Sequence, residues 1–127
     1  MFAVRLDGPE GSETIMNPTW EQIEAAIRAL DGIQKTLVTI AAEDCEAHMG
    51  IGGGSGAFIC YATRDNLTFD TLVNPSGHAD RKQRVIAGGQ PGDYTEKHCV
   101  TLPAILRAAK AFAILGELDG SLEWDER

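Results

Sequence analysis

Phosphate or acyl chemistry is easiest to imagine at Gly52-Gly53-Gly54-Ser55-Gly56. Gly52 and Gly54, with Ala57 three places on, reproduce the alanine form of the Gly-x-Gly-x-x-Gly fingerprint, whose glycines let backbone approach a pyrophosphate at a helix N-terminus. Ser55, in Gly53-x-Ser55-x-Ala57, is one substitution short of a nucleophile elbow, which sets a serine at a strand-to-helix turn. Both devices need a helix after the loop, whereas Ala57-Phe58-Ile59-Cys60-Tyr61-Ala62 reads as a strand. No Lys-Ser or Lys-Thr follows for a P-loop. The run therefore reads as a wide turn or a bulged strand pair.

A metal set is the next possibility. Cys45 and His48 are three apart, and His98-Cys99 could complete a Cys2His2 zinc site. Neighbours on a strand point to opposite faces, so His98 and Cys99 rarely reach one ion together. The three cysteines, Cys45, Cys60 and Cys99, leave one unpaired in any internal scheme and form no Cys-x-x-Cys pair; reduced, mostly buried thiols are expected. No pair of carboxylates stands out as acid and base. The residues that could do chemistry thus lack partners, and the expectation is a binding protein with no catalytic set, no metal and no cofactor.

The elements that must position these residues begin with the clearest helix. Thr101-Leu102-Pro103 opens it, because a threonine can cap and proline fits the first turn. Leu102, Ile105, Leu106, Ala109, Phe112 and Leu115 form its apolar stripe, Arg107 and Lys110 turn to water, and Gly116 stops it. An earlier helix starts at Asn17-Pro18, with Trp20, Ile23, Ile27 and Leu30 on one face, and ends at Asp31-Gly32. Strands are expected at Phe2 to Leu6, with an edge position open to it, at Thr36 to Ala42, and at His48 to Ile51. Others are expected at Ala57 to Ala62, Leu67 to Val73, Gln83 to Ala87 and a short His98 to Val100. Asp7 to Met16 reads as a connection, Gly88 to Gly92 as a break, and Ser121 to Trp124 as an extended tail whose tryptophan closes a core edge. The result is an α+β fold: a mainly antiparallel sheet of five or six strands packed with two main helices in one domain, residues 1–127.

Charge narrows the partners. The chain of 127 residues carries 19 acidic against 11 basic side chains, a net −8, which argues against direct binding to a phosphate backbone. No apolar run approaches membrane-span length, and the start lacks the basic and apolar regions of a secretory signal, so a soluble, cytoplasmic protein is expected.

These pieces, taken in order, resemble the first-numbered family of immunity proteins in bacterial polymorphic toxin systems, antidotes encoded beside a secreted toxin. The resemblance runs through Ala29-Leu30-Asp31-Gly32, Thr36-Leu37-Val38-Thr39, Gly50-Ile51-Gly52-Gly53 before Phe58, and Leu72-Val73-Asn74-Pro75. It continues through Gly88-Gly89-Gln90 with Tyr94, the helix through Ala108-Ala109 and Phe112, and Gly116-Glu117-Leu118-Asp119 with Leu122-Glu123-Trp124, spanning roughly residues 18 to 125. It implies inhibition by binding with no reaction catalysed: a cap over the active site of a cognate toxin, often a nucleic-acid deaminase or nuclease with a basic cleft, which an acidic antidote is suited to approach. Gly52, Gly53, Gly88, Gly89, Gln90, Phe112 and Trp124 are expected to be structural. Toxin contact is expected at the acidic loop Glu43, Asp44 and Glu46 and at a later loop with Asp80, Asp93, Tyr94 and Glu96, an aromatic beside carboxylates being a plausible anchor. Two other readings stay open. A small-molecule-binding domain or unrecognised enzyme requires a concave pocket around the glycine run, and a general acidic mimic of nucleic acid requires loose, salt-sensitive inhibition of many basic enzymes.

Overall fold

In the computed structural model the residues described are 3–43 and 46–126. They form nine strands, two α-helices and one 3-10 turn. The α+β class and the two helices are as expected; the strand number is larger because two strands (β2 and β8 below) occupy segments read as connections and the tail ends in a third. The strand expected at His98 to Val100 is instead a 3-10 turn, Glu96–His98, followed by a single bridge from Val100 to Phe58.

β1 (Ala3–Gly8) pairs on one side with β2 (Gly11–Met16) and on the other with β3 (Leu37–Ala41), so it is interior rather than at an edge. β2 occupies the segment read as a connection. As an exposed edge strand carrying Ser12, Glu13 and Thr14, it buries too little to show alternation. β4 (His48–Gly54), β5 (Ala57–Thr63), β6 (Phe69–Leu72) and β9 (Trp124–Glu126) continue the sheet in the order β2-β1-β3-β4-β5-β6-β9, every neighbour antiparallel. β7 (Lys82–Ala87) and β8 (Gln90–Thr95) form a separate hairpin. Gly88 and Gly89, both at positive φ, make its two-residue turn. The break expected at Gly88 to Gly92 is therefore only that turn. Pro91 and Gly92 weaken the strand signal of β8 but are tolerated in a two-stranded ribbon.

Alternation divides the sheet into two faces. Val4, Leu6, Val38, Ile40, Met49, Ile51, Cys60, Ala62 and Leu72 lie on one, and bury against the helices in a single core. α1 (Trp20–Arg28) contributes Ile23, Ala26 and Ile27. It begins two residues later than expected from Asn17-Pro18: Thr19, not Asn17, is the N-cap. Thr19 and Gln22 form a reciprocal capping box, while Asn17 takes a positive φ in the turn before it. The helix stops at Arg28, short of Asp31-Gly32. Asp31 instead folds the following loop, its Oδ1 accepting from the N–H groups of Ile33, Gln34 and Lys35 at 2.8, 2.8 and 3.0 Å. Those bonds hold its carboxyl below the usual range.

α2 (Leu102–Leu115) buries Ile105, Ala108, Ala109 and Phe112 and ends where Gly116 turns left-handed at φ 69°. Thr101 stands at the N-cap without a side-chain bond, and Leu115 is exposed, because Ala108 rather than Leu115 lies on the core side. Lys110 turns outward as expected and lies over the Trp20 ring, 5.8 Å from its centroid.

Trp124 closes the sheet's last edge. Its ring is half-buried against the core, and Nε1 donates to the Asp119 carbonyl at 3.2 Å. Because only part of the ring is covered, Trp124→Ala is expected to lower stability by about 2 kcal/mol, below the usual range for a fully buried tryptophan. Urea unfolding followed by circular dichroism measures it; an unchanged midpoint would reject the edge-closing role.

Candidate functional site

The second face of the sheet is built around absences of side chain. Gly50 leaves room for the Tyr61 ring, which a Cβ there would meet at 2.3 Å. Gly52 does the same for β7: its Cβ would lie 2.4 Å from the Cβ of Ala87. The β7–β8 hairpin can therefore settle on the sheet, and Thr36 pins its tip, accepting from Gly89 N–H through Oγ1 at 2.9 Å and from Gly88 N–H through its carbonyl at 3.3 Å. These glycines each meet a different neighbour. Gly53, at φ 105°, packs against Ala57, Phe58 and Val85 as the strand enters its turn. Phe112 is wholly buried, and Gln90 is exposed at the start of β8.

Between hairpin and sheet lies a half-open cavity of about 240 Å³. Leu37, Ile59 and Ala87 give it apolar walls, Tyr61 and Tyr94 supply rings, and Thr71 and His98 supply polar groups. Burial pushes the Tyr61 phenol upward, so it remains protonated. Thr71 is 5% exposed, and its Oγ1 is fully buried with no hydrogen-bond partner. His98 Nε2 lies 2.9 Å from Asp125 Oδ2, and Lys97 Nζ lies 3.0 Å from the same oxygen; these two partners hold the Asp125 carboxyl below its ordinary value. The pocket that a small-molecule reading requires is present.

One end of the sheet carries concentrated charge and rings. The register Ala41↔His48↔Thr63↔Phe69 puts the β3–β4 turn beside the β5–β6 turn, and Asp70↔Glu126 adds the end of β9. Glu43, Glu46, Asp65, Asp70 and Glu126 collect there, with Arg64 among them. His48, Tyr61 and Phe69 form a cluster of tilted and edge-on rings with centroids 5.7 to 6.3 Å apart. Leu67, held in a turn by Asp65 Oδ1, is 84% exposed. Tyr61 belongs both to this cluster and to the cavity wall.

The residues expected to make contact fall in two places. Glu43 and Glu46 are exposed at the acidic end, while Asp44 lies outside the described residues. Asp80 and Glu96 come together in a separate junction: the 78–81 segment is tied to Thr95 and Glu96 by His78 N–H to Glu96 Oε1 (3.4 Å), Glu96 N–H to the Arg81 carbonyl (2.8 Å), and Thr95 Oγ1 to the Ala79 carbonyl (3.2 Å). Asp93 and Tyr94 are not loop neighbours but successive positions of β8, and so face opposite ways. Tyr94 turns to the cavity, and Asp93 sits across from Arg84 on the outer face. The sequence does not single out Tyr61 or Thr71 and offers His98 only as a metal ligand; alternation along β5, with Cys60 and Ala62 in the core, is the available signal for Tyr61.

The catalytic alternatives do not assemble. Ser55 sits at φ 53° in the β4–β5 turn and donates to the Asp31 carbonyl at 3.2 Å, and a strand, not a helix, follows it. Of the imagined zinc set, the His48 ring packs on Tyr61 and Phe69, His98 bonds Asp125, Cys99 is buried, and Cys45 lies outside the described residues. Burial pushes the Cys60 thiol far above its ordinary value, which removes thiolate chemistry. Among the described residues, no helix is long and apolar enough to cross a membrane. The family model described as Immunity protein Imm1 matches residues 11–126. No curated protein matches the sequence.

Proposed function

The chain belongs to the Imm1 family of immunity proteins, non-catalytic antidotes that neutralise a cognate toxin, and from that premise we propose which surface does the neutralising and what kind of toxin it meets. The acidic end of the sheet docks on a basic, nucleic-acid-processing cleft, that of a deaminase or nuclease. The observation that carries this reading is the meeting of carboxylates with partly exposed rings. Glu43 and Glu46 belong to the turn that leads into His48, whose ring packs on Phe69, and the strand register sets that turn at the same end of the sheet as the turn carrying exposed Leu67, so attraction at a distance and an apolar anchor on contact are available at one end. A cleft shaped for phosphate and base carries the opposite charge, and a protein of net −8 is steered toward it. Asp44 joins this contact on sequence grounds, and Asp80, Asp93, Tyr94 and Glu96 form a second, flanking contact.

Co-expression with the toxin domain encoded beside this protein tests the reading. Stoichiometric loss of the toxin's nucleic-acid activity, with a complex that survives gel filtration, is the expected result. A toxin inhibited without any activity on nucleic acid would overturn the substrate class, and unaltered toxicity with no complex would remove the pairing. Equal, salt-sensitive inhibition of unrelated basic nucleases would favour a general mimic, because shape as well as charge decides a cognate pair.

A further inference from the structure

A second layer normally holds itself down by burying side chains, and the β7–β8 hairpin buries few. Of residues 82–95 only Val85 is buried; the others are half-buried or exposed. A two-stranded ribbon is marginal by itself, so its place on the sheet depends on what fastens it. The fastenings lie at its two ends. At the base, Val100 N–H donates to the Phe58 carbonyl at 2.8 Å and Phe58 N–H to the Val100 carbonyl at 3.1 Å. Asn74 fixes the same segment, its N–H donating to the Lys97 carbonyl at 2.7 Å and its Nδ2 to the Cys99 carbonyl at 3.0 Å. At the tip, the amides of Gly88 and Gly89 both donate to Thr36, itself 2% exposed in the layer below. Between the ends, Ala87 comes down on Gly52 and Val85 on Gly53, and beside these contacts the hairpin stands over the cavity of about 240 Å³. Protein interiors are normally packed without such gaps, so the dispersion contacts that would hold the ribbon flat are missing over part of its underside. A riveted base, a polar catch at the tip and a void between them make the arrangement of a lid.

We propose that the β7–β8 hairpin is a lid, latched by Thr36, that lifts from the sheet as a unit while the seven-stranded sheet and both helices stay folded. Its hinge lies where Gly77 rests on the backbone of Glu96, so closely that a Cβ there would meet the Glu96 carbonyl oxygen at 2.4 Å. Beyond that point the two strands travel together, tied by Glu96 N–H to the Arg81 carbonyl, by Thr95 Oγ1 to the Ala79 carbonyl and by the continuous register from Lys82↔Thr95 to Ala87↔Gln90. Lifting takes Ala87, Gly88 and Tyr94 off the cavity and leaves Leu37, Ile59 and Tyr61 on an open sheet face. The closed lid keeps that strip of the sheet covered, and the two bonds at Thr36 set how often it is uncovered. The motion needs no partner and stands apart from the antidote reading.

Amide relaxation dispersion on the free protein tests it, because collective motions of this kind fall in the microsecond-to-millisecond range. The amides of Leu37, Ile59 and Tyr61 on the sheet and of Ala87 and Tyr94 on the hairpin should fit one exchange rate, with α1 and α2 flat. Thr36→Val, which keeps shape and removes the Oγ1 acceptor, should raise the open population about fivefold to tenfold with the same shift differences. Thr36→Ser, which restores the hydroxyl, should return it toward the parent. Native-state hydrogen exchange of the parent supplies a second readout that holds even if Thr36→Val fails to fold. There the Gly88 and Gly89 amides should exchange at least about tenfold faster than the paired amides of β4 and β5, with little dependence on urea below the unfolding transition. Dispersion confined to Gly88 and Gly89 would mean that the turn frays while the hairpin stays down, and would overturn the lid. So would profiles that are flat in both the parent and Thr36→Val, or Gly88 and Gly89 amides that exchange only with global unfolding.

Discussion

Gly53→Ala is expected to be among the most damaging single-methyl changes in this protein, lowering stability by about 3 kcal/mol or more. Two effects combine. Gly53 holds φ at 105°, a conformation that side-chain-bearing residues adopt at roughly 1–3 kcal/mol. Its added Cβ would also lie 2.3 Å from the Ala57 carbonyl oxygen, and 3.1 Å from both Phe58 Cα and Val85 Cγ1. Two of these neighbours are backbone in the paired strand, so they cannot rotate away; overpacking of this kind adds about 1–3 kcal/mol. Against a total that is typically 5–15 kcal/mol, the loss is large enough to leave the variant partly unfolded near body temperature. Thermal and urea unfolding of parent and variant measure it, and a midpoint within a degree of the parent would show that the turn relaxes freely.

Gly53 also marks where the sequence could be read and where it could not. Its neighbourhood was legible as a place where glycine is required, since five residues with four glycines cannot be helix. The reason for each glycine was not legible. Gly50 answers to a ring on β5, and Gly52 to a methyl on β7, more than thirty residues away in the chain. Such requirements arise only when a second layer settles on the sheet. The same division runs through the fold. α2 was readable because Pro103, the apolar spacing and Gly116 act within one segment. β2 and β8 were not, because an exposed edge and a Pro-Gly ribbon lack the alternation that a buried strand shows. Missing β8 also misplaced the site. Once Gln90–Thr95 is a strand, period two separates Asp93 from Tyr94, and the apparent cluster of charge and ring divides into an outer carboxylate opposite Arg84 and an inward phenol.

Replacing Glu43, Asp44 and Glu46 together by alanine is expected to weaken the cognate toxin complex about ten- to a hundredfold at low salt while leaving the fold intact. Glu43 and Glu46 are exposed at the β3–β4 turn, and neither belongs to the buried core. Their effect on a partner acts mainly before contact: the triple change takes the net charge from −8 to −5, and Glu43 and Glu46 lie at the end that carries Asp65, Asp70 and Glu126 as well. Removing charge from the rim of an interface slows association more than it speeds dissociation. The loss should therefore appear in the on-rate and shrink as salt shortens the screening length below about 10 Å near 0.1 M. Surface-plasmon kinetics at two ionic strengths distinguish this from a packing defect, which would act on the off-rate and persist in salt. An unaltered on-rate, with Tm also unchanged, would place the toxin on another face. Phe69→Ala at the same end supplies the complementary readout. If the rings are the anchor, it should raise the off-rate with little change in salt dependence, so charge and contact can be assigned separately on one surface.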